Sequence, residues 1–341
     1  MELAKFARES ILKLIPYSSA RTESIQKGIK LDANENPFWR KDGLNRYPDP
    51  QPALLRQRLA TIYGVNASQL LLTRGSDEGI DLLTHVFCEA NKDAILITPP
   101  TYGMYEVAAN IQGVRIIRVP LEKDWALNKE EILKQGTASI KLIFLCSPNN
   151  PTGNILNKDD VLSLCKAFQN QALIILDEAY IEFSTTSSLV LQYPNLVVLR
   201  TLSKAFGLAG ARLGSLIADP KIIELLGKVI APYPIPIPIE EAAMNALSAE
   251  NLAKVDSQIQ SIQSERDRLQ AFLTKLPSVE LVYPSQANFL LVKVNNASTW
   301  METCKAHEII IRSRPSLQNC VRITIGTAEE NKRLKKVLSH V

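Results

Sequence analysis

Histidine is scarce in this chain: His85, His307 and His340 are the only three. They lie far apart, with no cysteine or carboxylate at metal-ligand spacing, so neither a metal site nor a histidine-based triad is expected. The five cysteines, Cys88, Cys146, Cys165, Cys304 and Cys320, are odd in number and nowhere closely paired. They read as reduced, mostly buried small hydrophobes of a cytoplasmic protein, not as a disulfide framework. Long apolar runs are missing too: the longest are about six to eight residues, against the ~20 that span a bilayer. Met1–Ala20 has no signal-peptide core, and Glu2 and Glu9 argue against a transit peptide. Leu3, Phe6, Ile11, Leu14 and Ile15 suit one face of a docked surface helix. The formal charge is only +4, with cations dispersed along the chain, so neither nucleic acid nor membrane is an expected partner. Leu173–Glu178 resembles a Walker B strand, but the chain has no Gly-x-x-x-x-Gly-Lys-Ser/Thr loop, which removes the case for an ATPase.

What is present fits two packed domains. The chain has 341 residues, 46% apolar and 22% charged, ordinary for a globular protein of this size. Short, continuously apolar runs occur at Ala94–Thr98, Val114–Val119, Leu142–Cys146, Leu173–Leu176, Leu196–Leu199 and Leu216–Ala218. Strands buried on both faces read this way, and their spacing suits βαβ crossovers. Pro232–Pro238 is expected to be extended. A helical pattern follows from Glu240 to about Leu276, with a break near Glu250-Asn251. Leu281–Tyr283, Phe289–Val294, Ile309–Ile311 and Val321–Ile325 then look like strands, and Glu329–Ser339 like a terminal helix. The expected fold is α/β: a large domain over 31–245 with a mainly parallel central sheet flanked by helices, and a smaller α+β domain over 246–341, with segment 1–30 packing against it.

In such sheets ligands bind beyond the carboxyl ends of the strands. The runs there are followed by Ser147-Pro-Asn-Asn-Pro-Thr-Gly153, Asp177-Glu-Ala-Tyr180 and Arg200-Thr-Leu-Ser-Lys204. Asn150, Asp177, Tyr180 and Lys204 thus gather at one sheet edge, some 27 to 30 residues apart. A desolvated lysine is nucleophilic and forms imines with carbonyls. A carboxylate keeps a pyridine nitrogen protonated, while an amide and a phenol donate to a ring oxygen. Those are the demands of pyridoxal 5'-phosphate. Its phosphate needs a cradle, and Thr73-Arg-Gly-Ser-Asp-Glu-Gly79 puts Ser76 and Asp77 at a helix start. Thr201 and Ser203 add hydroxyls, and Arg212, eight residues beyond Lys204, adds a bidentate donor. Each residue alone is an ordinary cap, turn or surface charge; the joint spacing carries the argument.

These motifs resemble the fold-type-I aminotransferases and, within them, the histidinol-phosphate aminotransferase family. Further marks are Leu31-Asp-Ala-Asn-Glu-Asn-Pro37, Arg46-Tyr-Pro-Asp49, Pro99-Pro-Thr-Tyr-Gly-Met-Tyr105, Ile230-Ala-Pro-Tyr-Pro234 and Val321-Arg-Ile-Thr-Ile-Gly326. The resemblance implies amino transfer between histidinol phosphate and 2-oxoglutarate by a ping-pong mechanism, in histidine biosynthesis. It makes Lys204 the Schiff-base lysine and proton carrier, Asp177 the pyridine-nitrogen partner and Tyr102 the residue stacked on the ring. Asn150 and Tyr180 become the contacts of the ring oxygen, and Ser76, Asp77, Thr201, Ser203 and Arg212 the phosphate site. It implies a homodimer in which Tyr47 reaches the neighbouring subunit's cofactor. Arg322, with Arg312, would bind the substrate's anionic end, and Tyr17 and Asn34 would also face substrate. The segment between Arg312 and Arg322 is short for the family, which leaves Arg314 as an alternative to Arg312. An aromatic-amino-acid aminotransferase or a threonine-phosphate decarboxylase-like enzyme would share the same catalytic core.

Overall fold

The computed structural model describes residues 3–18, 28–38, 40, 42–186, 188, 193–314 and 316–340. A large sheet is built from β1 (Leu70–Thr73), β2 (Ala94–Ile97), β3 (Arg115–Arg118), β4 (Ile140–Cys146), β5 (Leu173–Asp177), β6 (Leu196–Thr201) and β7 (Gly214–Ile217), in the order β1-β7-β6-β5-β4-β2-β3. From β6 across to β3 all pairings are parallel; β7 runs opposite to both β1 and β6. Residues of β4, β5 and β6 are almost entirely buried, because helices cover both faces. β3 ends the sheet, and its exposed Arg115 and Arg118 charge the edge against further pairing.

The helices are α1 (Glu9–Leu12), α2 (Ala53–Tyr63), α3 (Gly75–Phe87), α4 (Met104–Gln112), α5 (Lys129–Lys134), α6 (Lys158–Ala167), α7 (Pro220–Gly227), α8 (Ile237–Ala246), α9 (Ala249–Leu273), α10 (Ala297–Ala306) and α11 (Ala328–Leu338). Two apolar layers sandwich the large sheet. One joins α2 and α6 to alternate strand residues such as Ile143, Ile174 and Val198; the other joins α3, α4 and α7 to Phe144, Ile175 and Leu199. A second, antiparallel sheet follows, of β8 (Val279–Val282), β9 (Phe289–Val294), β10 (Arg312–Ser313) and β11 (Cys320–Thr324), ordered β10-β11-β9-β8. Its own core gathers Leu269, Trp300, Val321 and Leu334. Among the described residues no helix is long and apolar enough to cross a membrane.

Several expectations shift. Segment 1–30 was expected against the small domain, but its described first part sits on the large sheet's helices. Leu3, Phe6, Ala7 and Ile11 join the layer containing Phe87 and Leu226, and the Arg8 N–H donates to Val86 O at 2.9 Å. The helix ends at Leu12, leaving Ile15 88% exposed, since Pro16 disfavours helical backbone in the residue before it. The proline-rich stretch is not extended throughout. α8 begins at Ile237 with Pro238 in its first turn, where a missing N–H costs nothing. The break comes at Leu247-Ser248, where the Ser248 hydroxyl caps α9. Ile309–Ile311 is not a strand. Glu308 turns left-handed at φ 59°, and the N–H groups of Glu308 and Ile309 return to Lys305 O and Cys304 O, a helix-ending motif usually flagged by glycine. Finally, β1 was absent from the strands read off the sequence, because three leucines and a threonine, Leu70–Thr73, give too short a pattern.

Candidate active site

The carboxyl ends of β4, β5 and β6 open into a cleft of about 590 Å³, closed on one side by β10 and β11. Asp177 is the last residue of β5 and pairs in register with Cys146 on β4 and Leu199 on β6. It is 2% exposed. Its Oδ2 accepts from the Tyr105 hydroxyl at 2.8 Å and its Oδ1 from the Ala179 N–H at 3.1 Å. Burial pushes the carboxyl up to about 6, against the pull of those two donors. Lys204 follows β6 and lines the same cleft, with Nζ 5.6 Å from the Tyr180 ring centre. Protein crowding around the amine, then the nearby Arg322, lower its pKa. A fraction of free amine is what a nucleophilic lysine requires. Tyr180 stands edge-on to Phe289 of the small sheet at 5.2 Å, inside a cluster shared by the two regions.

Asn150 sits where three elements meet. Its Nδ2 lies 3.5 Å from the Tyr180 hydroxyl, and its Oδ1 accepts from Arg322 at 2.6 Å and Arg314 at 3.2 Å. The neighbouring Asn149 secures the loop: its amide donates to Pro100 O at 2.8 Å and to the Thr152 hydroxyl at 2.6 Å, and its Oδ1 accepts from Thr101 at 2.8 Å. Gly153, at φ +79°, packs so closely that a Cβ would lie 2.4 Å from Ser285 Oγ. The small region is thereby seated directly on the site loop.

At the other end, α3 starts at Gly75, so the N–H groups of Gly75, Ser76 and Asp77 lack acceptors within the helix. A Cβ on Gly214 would come within 2.6–2.7 Å of Gly75 C and Ser76 N, and one on Gly75 would meet Arg212 at 2.9 Å. Only glycines let backbone and guanidinium crowd together here. The Asp77 carboxylate is occupied: it accepts from the Tyr102 hydroxyl at 2.9 Å and from Arg212 at 3.1 Å. Its offering to an anion is therefore its backbone N–H and its grip on Arg212, not its side chain. Thr201 and Ser203 bond each other at 2.9 Å beside it.

Arg312, Arg314 and Arg322 form the wall opposite. Arg312 and Arg322 are cross-strand partners, and the Arg322 guanidinium lies 5.2 Å from the Phe289 ring centre. Burial, then Arg322 and Arg312, push Arg314 down to about 10. Arg322 is also lowered, chiefly by burial. The Nε–H groups of Arg314 and Arg322 are buried without an acceptor among the described residues, a cost that a bound anion would remove.

The structure thus gathers Ser76, Asp77, Tyr102, Asn150, Asp177, Tyr180, Thr201, Ser203, Lys204, Arg212, Arg312 and Arg322 around one cleft. Tyr17, Asn34 and Tyr47 do not line it. Tyr17 is 75% exposed. Asn34 and Tyr47 border a separate surface hollow, where Tyr47 stacks on Tyr233 at 4.5 Å. Sequence reasoning missed the contacts of Tyr105, Asn149, Phe289 and Arg314. Tyr105 alone left a signal, a phenol on an otherwise apolar helix face. Among the described residues no metal-binding cluster is present.

A buried acid, a softened lysine, a helix-start anion cradle and an arginine wall define the class of protein. The chain belongs to the class I and II aminotransferases, whose family model matches residues 20–338, and these enzymes depend on pyridoxal phosphate. Its relatives narrow the class. The chain is 44% identical to the histidinol-phosphate aminotransferase of Haemophilus influenzae (strain PittEE), with 100% of both chains covered. Its structure is similar to that of the histidinol-phosphate aminotransferase from Clostridium acetobutylicum, with a TM-score of 0.79 at 26% identity over 87% of this chain and 90% of the other. It shares its fold with the Sinorhizobium meliloti enzyme in complex with pyridoxal-5'-phosphate, at a TM-score of 0.79 and 24% identity over 87% and 83% of the two chains. The residues present fit that cofactor. The buried carboxyl of Asp177 takes hydrogen bonds only from neutral donors among the described residues, and the start of α3, with Thr201, Ser203 and Arg212 lining the same cleft, offers the donors that a phosphate needs.

Proposed function

We propose that this chain is a histidinol-phosphate aminotransferase of histidine biosynthesis, moving an amino group reversibly between histidinol phosphate and 2-oxoglutarate. The observation that carries the reading is the arginine wall. Two buried guanidinium N–H groups without acceptors stand across the cleft from Lys204 and Asp177. That arrangement suits substrates with a reacting amine at one end and a phosphate or carboxylate at the other. When bound, pyridoxal phosphate supplies a conjugated ring that withdraws electrons from the substrate carbon.

Each side chain then has a definite task. Lys204 would hold the cofactor through its Nζ, and that amine is the base placed to take a proton from the amine-bearing carbon and return one. Asp177 would pair with the ring nitrogen. Asn150 and Tyr180 would donate to the ring oxygen, and Tyr102 would stack on the ring. The N–H groups of Ser76 and Asp77, the hydroxyls of Thr201 and Ser203, and Arg212 hold the phosphate. Arg322 grips the substrate anion, with Arg312 and Arg314 beside it. One arginine cluster serves both half-reactions because a planar fork fits carboxylate and phosphate alike.

The working unit is a homodimer in this reading. Tyr47 and Asn34, on a surface hollow outside their own cleft, face the partner's site, with Tyr47 at its cofactor phosphate; Tyr17 lies on the same substrate side. Leu31 and Phe38, exposed on the segment that carries Asn34, add apolar area that a partner would bury. The free, buried cysteines agree with a reducing, cytoplasmic setting. The deciding assay is amino transfer from glutamate to imidazole-acetol phosphate, run beside phenylpyruvate. Preference for phenylpyruvate would move the assignment to an aromatic aminotransferase. Mixing Tyr47 and Lys204 variants should regenerate intact sites in hybrid dimers; a strictly monomeric active protein would defeat the dimer.

A further inference from the structure

We propose that Tyr105 is a positioning residue for the reaction: its hydroxyl keeps the Asp177 carboxyl ionised and aimed at the cofactor's ring nitrogen. The inference rests on the Asp177 pairing proposed above. Tyr105 lies in the first turn of α4 and is fully buried. Its ring stacks on Phe144 of β4, with centres 4.8 Å apart and planes 13° from parallel. Phenylalanine would fill that space equally well. The hydroxyl is the group that needs explaining, and its partner is Asp177 Oδ2 at 2.8 Å.

The phenol can only donate in this place. Burial, then the adjacent Asp177, raise its pKa well above the ordinary range, so it stays neutral at any working pH. With the Ala179 N–H on the other oxygen, two donors fix the plane of the carboxylate, and each oxygen keeps a lone pair for a further partner. The charged and titratable groups around Asp177 are Lys204 beyond β6, Asp77 on α3, the Cys146 thiol on β4, and the hydroxyls of Tyr102, Tyr105 and Tyr180. Lys204 is the one cation in that set, and Asp77 works against ionisation. Without the Tyr105 hydroxyl, burial and Asp77 drive the acid toward its protonated form, which cannot hold a positive pyridinium. Tyr105 also braces Tyr102 edge-on, with centres 5.7 Å apart. A Tyr105→Phe change keeps that contact and so isolates the hydroxyl.

The test uses full-length wild type, Tyr105→Phe and Asp177→Asn, each freed of cofactor. Each is titrated with pyridoxal phosphate and with an analogue carrying CH in place of the ring nitrogen. Tyr105→Phe should weaken pyridoxal phosphate by about 10- to 100-fold, the range for a bond to a charged group, and leave the analogue within about twofold. Asp177→Asn should erase the preference between the two ligands. If Asp177→Asn keeps that preference, the ring-nitrogen pairing itself fails. If Asp177→Asn loses it while Tyr105→Phe keeps it, or weakens both ligands equally, the role of Tyr105 is overturned. Should Tyr105→Phe not fold, 3-fluorotyrosine placed at position 105 keeps the shape and strengthens the donor. The Asp177 carboxyl, followed by carbon NMR in the cofactor-free chain, should then titrate lower, and an unmoved titration would refute the proposal.

Discussion

The floor and the wall of the cleft are strained in opposite senses. On the floor, a carboxyl is buried at the end of β5, with neutral donors only among the described residues, and its pKa rises to about 6. On the wall, arginines crowd together on the small sheet, and Arg314 falls to about 10. Each group is uncomfortable in the charge state that its ligand requires. A protonated ring nitrogen would relieve the floor, and a phosphate or carboxylate would relieve the wall. The chain gives up folding stability at both ends for tighter, charge-specific binding. The ends also differ in support. The floor is woven into one buried parallel sheet, whereas the wall belongs to a second region, joined at Asn150, Gly153 and the Tyr180–Phe289 contact.

The largest effect expected concerns the group between them. Lys204→Ala should lower turnover by about 10³-fold or more and remove the visible absorbance of lysine-bound cofactor; a retained spectrum would place the attachment elsewhere. Next comes the wall. Arg322→Leu should raise KM for the phosphate substrate about 100-fold, since it deletes a charge-assisted bond and leaves a buried site half-paired. A fall in kcat with KM untouched would show that the wall does not bind substrate.

Finer resolution comes from its neighbours. Arg314→Gln should raise KM about tenfold, because Arg314 shares Asn150 Oδ1 with Arg322 and has a buried free N–H. The more exposed Arg312 should cost about threefold as Arg312→Gln, the modest value of a solvated charge. Equal losses would erase the distinction between the two. The smallest effect tests the floor without cofactor. Asp177 titrates at about 6 folded and near 3.8 unfolded, so between those pH values the folded state holds the extra proton and stability falls as pH rises. Cofactor-free Asp177→Asn should therefore outlast wild type at pH 8, by roughly 3 kcal/mol, with the gain gone below about pH 4. Thermal unfolding across that range checks it, and a gain independent of pH would contradict the strained-acid account.

Much of the floor was legible in the sequence because its residues follow buried strands. β4, β5 and β6 are continuous apolar runs, and the residue after such a run has little choice but the sheet edge. The wall was only half legible. Arg322 belongs to a recognisable motif, but whether Arg312 or Arg314 stands beside it depends on a short loop whose path no periodicity encodes. Tyr105 was quoted within a motif without a task, since its partner lies 72 residues away. The start of α8 and the strand expected at Ile309–Ile311 were misread for local reasons, a proline tolerated in a first turn and a left-handed Glu308 where glycine is the usual sign.

The chain's order of apolar runs and glycines determined the parallel sheet, the helix-start cradle and the gathering of an amine, an acid and an amide at one edge. These follow from period, burial and backbone sterics, which are local. Tertiary structure alone decided which donors reach Asp177, which arginines meet at Asn150, and that Leu3, Phe6, Ala7 and Ile11 lie on the large sheet's helices. Those outcomes depend on distances between segments remote in sequence, and hydrogen bonds and charges act over a few ångströms of space regardless of how much chain lies between.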